Sequence, residues 1–173
     1  WFCTNPPQED NSKIVPLPIG FEEPSRLGGN QKMLQAFFDS RIKRKEKKDK
    51  ILLPYHDLST NPVRKNLYDK LSRLSFVDIQ NEKLSVEQYL ALLDKYKFVI
   101  CLEGRGPDVH RNYEAMLVGS IPINKRNVIE KVFNHHSASG VFLDSWDDLT
   151  EEKYNFLLDK DYNISDNDNF LML

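Results

Sequence analysis

The sequence predicts an α/β fold, a mainly parallel sheet with helices on both faces. Three observations carry that expectation. Short apolar runs alternate with stretches of helical periodicity along most of the chain. The runs LLPY, FVIC and VFLD lack polar alternation, as strands covered on both sides require. The chain has 173 residues, 40% hydrophobic and 29% charged, enough for one compact domain with a real core, or one domain plus a short appendage.

The elements follow in order. KIVPLPI (13–19) reads as a short strand, confined by its prolines to an edge or a strand end. Residues 20–30, with Pro24 and two glycines, read as loop. QKMLQAFFDSRIKRKEKK reads as one helix, because Met33, Leu34, Phe37, Phe38 and Ile42 fall on one face. KILLPY (50–55) is a strand and HDLSTNP a loop, in which Asn61 caps a helix whose first position is Pro62. Val63, Leu67, Leu71 and Leu74 mark the apolar stripe of that helix. FVDIQ (76–80) is a strand. Ser85 and Gln88 spell a capping box before a helix with Val86, Leu90, Leu93 and Tyr96 at helical spacing. KFVICLE (97–103) is a buried strand, and 108–118 is a helix with Val109, Tyr113, Met116 and Leu117 on one side. SIPINK is a strand, 127–136 a helix and VFLDS a strand. Thr150, Glu151 and Glu152 open a last helix.

Charge narrows the function classes. The 24 basic and 26 acidic residues give a net charge of -2, which excludes a dedicated nucleic-acid packer but not a local cationic site. Seven basic residues lie in 41–50, and nine acidic against two basic in 144–168. The basic run reads as a solvated helix end with cations at the negative pole; nucleic-acid binding is the weaker alternative. No apolar run approaches 18 residues, so no membrane span is expected. Cys3 and Cys101 form neither a disulfide framework nor a metal spacing. No metal site is expected: Asp166 and Asp168 spell a formal DxD in an acidic tail, and His135 and His136 are adjacent. Asn163-Ile-Ser165 is a formal glycosylation sequon of little weight.

In open parallel sheets, ligands bind where loops leave the carboxyl ends of strands. Two such loops are chemically loaded: HDLSTNPVR (56–64) and EGRGPDVHRNYE (103–114). In the second, Gly104 and Gly106 allow close approach to a ligand. A helix starting near Asp108 offers free N–H groups to a phosphate. Arg105 and Arg111 supply planar forks for phosphate oxygens. Glu114, about one turn on, can accept from vicinal hydroxyls. Together they form a nucleotide-diphosphate cradle. The bland alternative is a tight turn leading into a solvated helix. Val109 stands where a dinucleotide fingerprint needs its third glycine, so that motif is absent.

The stretch YKFVICLEGRGPDVHRNYEAMLVGSIPI resembles the donor-binding signature of exostosin-like glycosyltransferases, through Asp108, His110, Arg111, Tyr113, Glu114, Ala115, Gly119, Ile121, Pro122 and Ile123. Weaker likeness extends over WFCTN with KIVPLPIG, STNPVRKNLYD and VFLDSWDDLTEEKYNFL, and so over most of the chain. The resemblance implies the C-terminal, Rossmann-like half of a GT-B enzyme. Residues 1–27 would be a linker and first strand from a preceding half, 28–160 the donor-binding domain and 161–173 a tail. It implies a UDP- or GDP-sugar as donor substrate, a glycan acceptor, a preceding acceptor-binding domain, inversion at the anomeric carbon and no tightly bound cofactor or essential metal. Arg111 would neutralise the diphosphate and Glu114 hold the ribose. Arg105 and Gly106 would lie along phosphates or sugar, and Arg64 with Asn61 would reach the diphosphate. The family often has an uncharged residue where Arg105 stands. His56, Asp57 and Glu103 are the local candidates for the base that inversion needs. A non-catalytic nucleotide- or glycan-binding module of the same fold is the alternative. The start at Trp1 reads as a fragment or a processed chain. The Golgi lumen is expected if a leader or anchor lies outside it, and the cytoplasm otherwise.

Overall fold

A computed structural model describes residues 1–7, 9 and 11–162. The main sheet contains β3 (Lys48–Leu53), β4 (Val77–Ile79), β5 (Tyr96–Ile100), β6 (Ile121–Lys125) and β7 (Val141–Leu143). All pair in parallel, in the order β4-β3-β5-β6-β7. The helices are α1 (Gln31–Ser40), α2 (Val63–Leu71), α3 (Val86–Leu93), α4 (His110–Leu117), α5 (Ile129–His135) and α6 (Glu151–Asp159). This is a Rossmann-like α/β architecture, as the alternation of patterns predicts.

The two-residue repeat of strands divides the core. Ile51, Leu53, Phe98, Ile100, Ile121, Ile123, Val141 and Leu143 point to one face, where Leu71 of α2 and Leu157 of α6 cover them. Leu52, Val99 and Cys101 point to the other, against Leu34 of α1, Leu90 and Leu93 of α3, and Ala115 and Leu117 of α4. A third cluster joins Ile129, Val132 and Phe133 of α5 to Phe142. Ser85 and Gln88 form the expected capping box of α3, and Thr150 accepts from the Lys153 N–H at the start of α6.

Two expectations fail. Val15–Leu17 (β2) does not join the main sheet; it pairs in parallel with Phe2–Thr4 (β1) as a separate two-stranded sheet. Pro16 and Pro18 lack the N–H donors that a longer ladder needs. The helix over 31–48 also stops early, at Ser40. The Ile42 N–H donates to the Asp94 carboxylate instead of continuing the helix (3.0 and 3.1 Å). The basic run is therefore built into the fold. Arg41 stacks on Phe38. Arg44 donates to the Lys97 carbonyl and lies over Phe98 and Tyr162. Lys47 is buried against Asp94 at 2.6 Å. Among the described residues no helix is long and apolar enough to cross a membrane. The sequon and the Asp166/Asp168 pair lie outside the described residues.

Candidate functional site

Parallel pairing puts every strand's carboxyl end on one side of the sheet. From β3 the chain runs out to the edge strand β4, then returns past β3 to β5 and on to β7. The loops after β3 and β5 therefore leave a crevice at the point where the topology switches direction, the usual ligand position in such sheets. They are the two loops singled out by their chemistry.

Arg64 on α2 ties these loops together. It is only 7% exposed. Its Nε donates to the Glu103 carbonyl (2.7 Å), Nη1 to Asp57 O (2.9 Å) and Nη2 to Leu102 O (3.1 Å). Asn61 adds a second tie: its Oδ1 accepts from the Val63 N–H and its Nδ2 donates to Gly104 O.

His56 is a third tie and not an available base. The Leu102 N–H must donate to Nε2 (3.3 Å), so the proton sits on Nδ1, which donates to Pro54 O (2.7 Å). Neither nitrogen is left to take a substrate proton. Burial, and then the charges of Arg111 and Arg64, hold the imidazole well below its usual pKa. Asp57 is exposed, but its Oδ1 accepts from the Ser59 N–H (2.9 Å) and Oγ (2.6 Å), and these bonds lower its pKa. A carboxylate stabilised in its charged form is a weak base. Glu103, the remaining candidate, accepts from Asn127 Nδ2 through Oε1.

Arg111 reaches across the crevice from the first turn of α4. Its Nη2 donates to the Tyr55 carbonyl (2.8 Å) and its Nε to the Tyr89 hydroxyl (2.8 Å). Burial disfavours the Arg64 charge, and Arg111 adds to that. Among the described residues neither guanidinium forms an ion pair with a carboxylate. Glu114 lies one turn along α4. Burial raises its pKa, while Arg111, His110 and the Tyr89 hydroxyl pull the other way. Tyr89, in α3, thus stands between the cation and the carboxylate. Its own phenol is pushed up by burial and stays protonated.

The Gly-Arg-Gly turn has a different basis from the expected one. Neither Gly104 nor Gly106 has a positive φ. A Cβ on Gly104 would lie 3.3 Å from Val109 and 3.4 Å from the Arg64 guanidinium. One on Gly106 would meet the Asn5 side chain at 3.2 to 3.3 Å. The glycines admit protein neighbours. Arg105 is exposed and makes no hydrogen bond or ion pair among the described residues.

Asp108 faces inward. Its buried carboxylate accepts from the Tyr113 hydroxyl (2.6 Å), the Ile19 N–H (2.8 Å) and Asn112 Nδ2 (3.3 Å). It lies just before α4 and accepts from two side chains of that helix and from the Ile19 N–H. The Asp108 N–H donates to Asn5 Oδ1 (2.9 Å), and His110 Nδ1 bonds the Gly20 carbonyl (2.7 Å). Asp108 and His110 therefore anchor the N-terminal segment to the loop. The positive character of the crevice comes from Arg111 and Arg64.

A cleft of about 230 Å³ adjoins the crevice. It lies between α2 and residues 145–147, and Arg64, Leu67, Leu102, Glu103, Lys125 and Trp146 are among its lining. Sequence reasoning missed Tyr55, Tyr89 and this cleft. Tyr89 lies outside the apolar face read from Val86, Leu90, Leu93 and Tyr96. No protein-family model matches the sequence, and no curated protein matches it.

Proposed function

We propose that this chain is the donor-binding part of a glycosyltransferase. It takes a nucleoside diphosphate sugar, UDP- or GDP-linked, in the crevice between the loops after β3 and β5. One observation carries the reading: Arg111 spans the crevice without a carboxylate partner, beside Arg64 and one turn before Glu114. Such a cation suits a diphosphate, and a carboxylate next to it suits ribose hydroxyls. Breaking the bond from the anomeric carbon to the diphosphate leaves negative charge on the leaving group. A guanidinium already fixed by Tyr89 and Tyr55 stabilises that charge without reorganising. Arg64 contributes mainly by holding the loops. The acceptor hydroxyl needs a base for inversion. Glu103 is the local candidate; otherwise a preceding acceptor-binding domain supplies it.

Isothermal titration with UDP, GDP and their sugars tests the reading. At least one should bind, and Arg111→Ala should weaken it by about tenfold or more, the worth of a charge-assisted hydrogen bond. Absence of binding by any of them, with no effect of Arg111→Ala or Glu114→Ala on any measured property, refutes it. The engagement of both His56 nitrogens favours one second reading, a binding module without turnover. Binding without donor hydrolysis or transfer by the full-length protein would identify that case.

A further inference from the structure

We propose that the N-terminal segment is a strap that sets the Gly-Arg-Gly turn: its two arms, 1–7 and 14–20, open and close as one unit with residues 103–110. The consequence for a ligand rests on the donor reading; the coupling itself does not. Asp108 is gripped by both arms at once. Its N–H donates to Asn5 Oδ1 in the first arm (2.9 Å), and its carboxylate accepts from the Ile19 N–H in the second (2.8 Å). Two residues on, His110 Nδ1 donates to the Gly20 carbonyl (2.7 Å). The turn does not supply such partners itself. Val109, just before α4, gives the helix no side-chain cap. On one flank Asn61 and Arg64 hold the carbonyls of Leu102, Glu103 and Gly104. From Gly106 to His110, the hydrogen bonds that reach outside the loop and α4 go to the strap among the described residues. The contact is also shaped for its parts. Asn5 has φ 54°, a left-handed conformation that side chains rarely adopt, and is held there with Oδ1 on Asp108. Gly106 faces the same side chain, and a Cβ there would stand 3.2 to 3.3 Å from Asn5. The arms are fastened separately to α5, through His136 Nε2 to Pro16 O (3.1 Å) and Lys131 Nζ to Pro7 O (3.4 Å). The strap thus ties α5 to the start of α4. Arg111 follows His110 in the first turn of α4. Release of the strap frees the helix start that aims Arg111, and Asn5 is a positioning residue for it.

Residue-resolved hydrogen exchange by NMR tests the coupling through amides whose own bonds are left intact. Asn5→Gly removes the acceptor, and glycine keeps the left-handed backbone without strain. The Ile19 amide still has the Asp108 carboxylate, and the Gly104 amide still has the Gly106 carbonyl. Both should nevertheless exchange about tenfold faster, the worth of one hydrogen bond. Gly106→Ala, made on the turn, should speed the Ile19 amide too, because coupling between two segments is reciprocal. In the unsubstituted protein the Ile19, Gly104 and Asp108 amides should share one opening, at least tenfold more frequent than that of 51–53 and 98–100. The strap is overturned if Asn5→Gly changes the Asp108 amide alone, or if these amides are as slow as the central strands and so open only with the whole domain. That second comparison needs no variant to fold. Saturating UDP or GDP should slow the Ile19 amide, which belongs to the strap and not to the crevice. A nucleoside diphosphate that binds and leaves Ile19 unchanged overturns the role of the strap in the crevice. The donor reading fails separately, through absence of diphosphate binding and indifference to Arg111→Ala, and the exchange pattern then decides the coupling alone.

Discussion

Replacing Asp94 by Ala should remove a large part of the stability of this domain. The Lys47 ammonium is fully buried and has three acceptors: the Asp94 carboxylate at 2.6 Å, the Asp94 carbonyl and the Val118 carbonyl at 2.8 Å. The same carboxylate accepts from the Ile42 N–H. Its removal leaves a buried cation with two carbonyls and no counter-charge, and a backbone donor with no acceptor. Breaking a buried pair from one side costs about 3–5 kcal/mol, against a total of about 5–15 kcal/mol for a typical domain. Urea titration near neutral pH, followed by far-UV circular dichroism, measures this. With a slope of about 2 kcal/mol per molar, the midpoint should fall by about 2 M. A loss below about 1 kcal/mol at unchanged slope would refute the reasoning. The double variant Lys47→Met/Asp94→Leu should recover the part of the loss that comes from the unpaired buried cation, while the Ile42 N–H stays without its acceptor. The pair also has a pH signature. Burial lowers the Lys47 pKa more than Asp94 raises it. The folded state then binds fewer protons than the unfolded state as pH climbs toward the unfolded value of 10.5. Stability from this group therefore rises with pH through that window, and Lys47→Met should abolish the rise.

Three more outcomes follow from the same geometry. His56 has a depressed pKa, so its contribution is complete above its ordinary value of 6.5 and declines as pH falls below it; His56→Gln should flatten that acid limb in thermal melts. Gly29→Ala would put a Cβ 2.1 Å from the Glu22 carbonyl oxygen and 2.2 Å from that of Glu23, so denaturation should show a loss of at least about 2 kcal/mol. Tyr89→Phe leaves the ring packing in place but frees the Arg111 Nε, and titration should show nucleoside diphosphate affinity falling about tenfold; unchanged affinity would mean that Arg111 is held by Tyr55 alone.

Local patterns made the fold legible. Strands buried on both faces declare themselves as unbroken apolar runs, and the Ser85/Gln88 box marks a helix start from four residues. The misreadings arose where a distant partner decided the outcome. Nothing within residues 31–48 shows that Asp94 will capture the Ile42 N–H and end the helix, or that Lys47 will be buried. The apolar run at 13–19 likewise does not reveal that the strand it pairs with, among the described residues, is Phe2–Thr4. The two loops of the crevice were legible because their composition is unusual, and the topology does bring them together. The division of labour inside them was not. Asp108 and His110 look like ligands in the sequence, yet their partners are Ile19, Tyr113 and Gly20. Tyr89 carries no sequence signal, because its role depends on α3 and α4 packing side by side.

The bonds from Asn5 to Asp108, Ile19 to Asp108 and Gly20 to His110 span 103, 89 and 90 residues of chain. Contacts this remote form late, since the closure entropy of a long loop must be met before they contribute. During synthesis the N-terminal segment emerges long before its anchor exists, and Asn5, Ile19 and Gly20 stay undocked from the loop until β5 and α4 have formed. The Gly-Arg-Gly turn should therefore be among the last parts of the domain to acquire native structure. In refolding experiments, hydrogen-exchange protection of the Asp108 amide should lag behind recovery of helical signal.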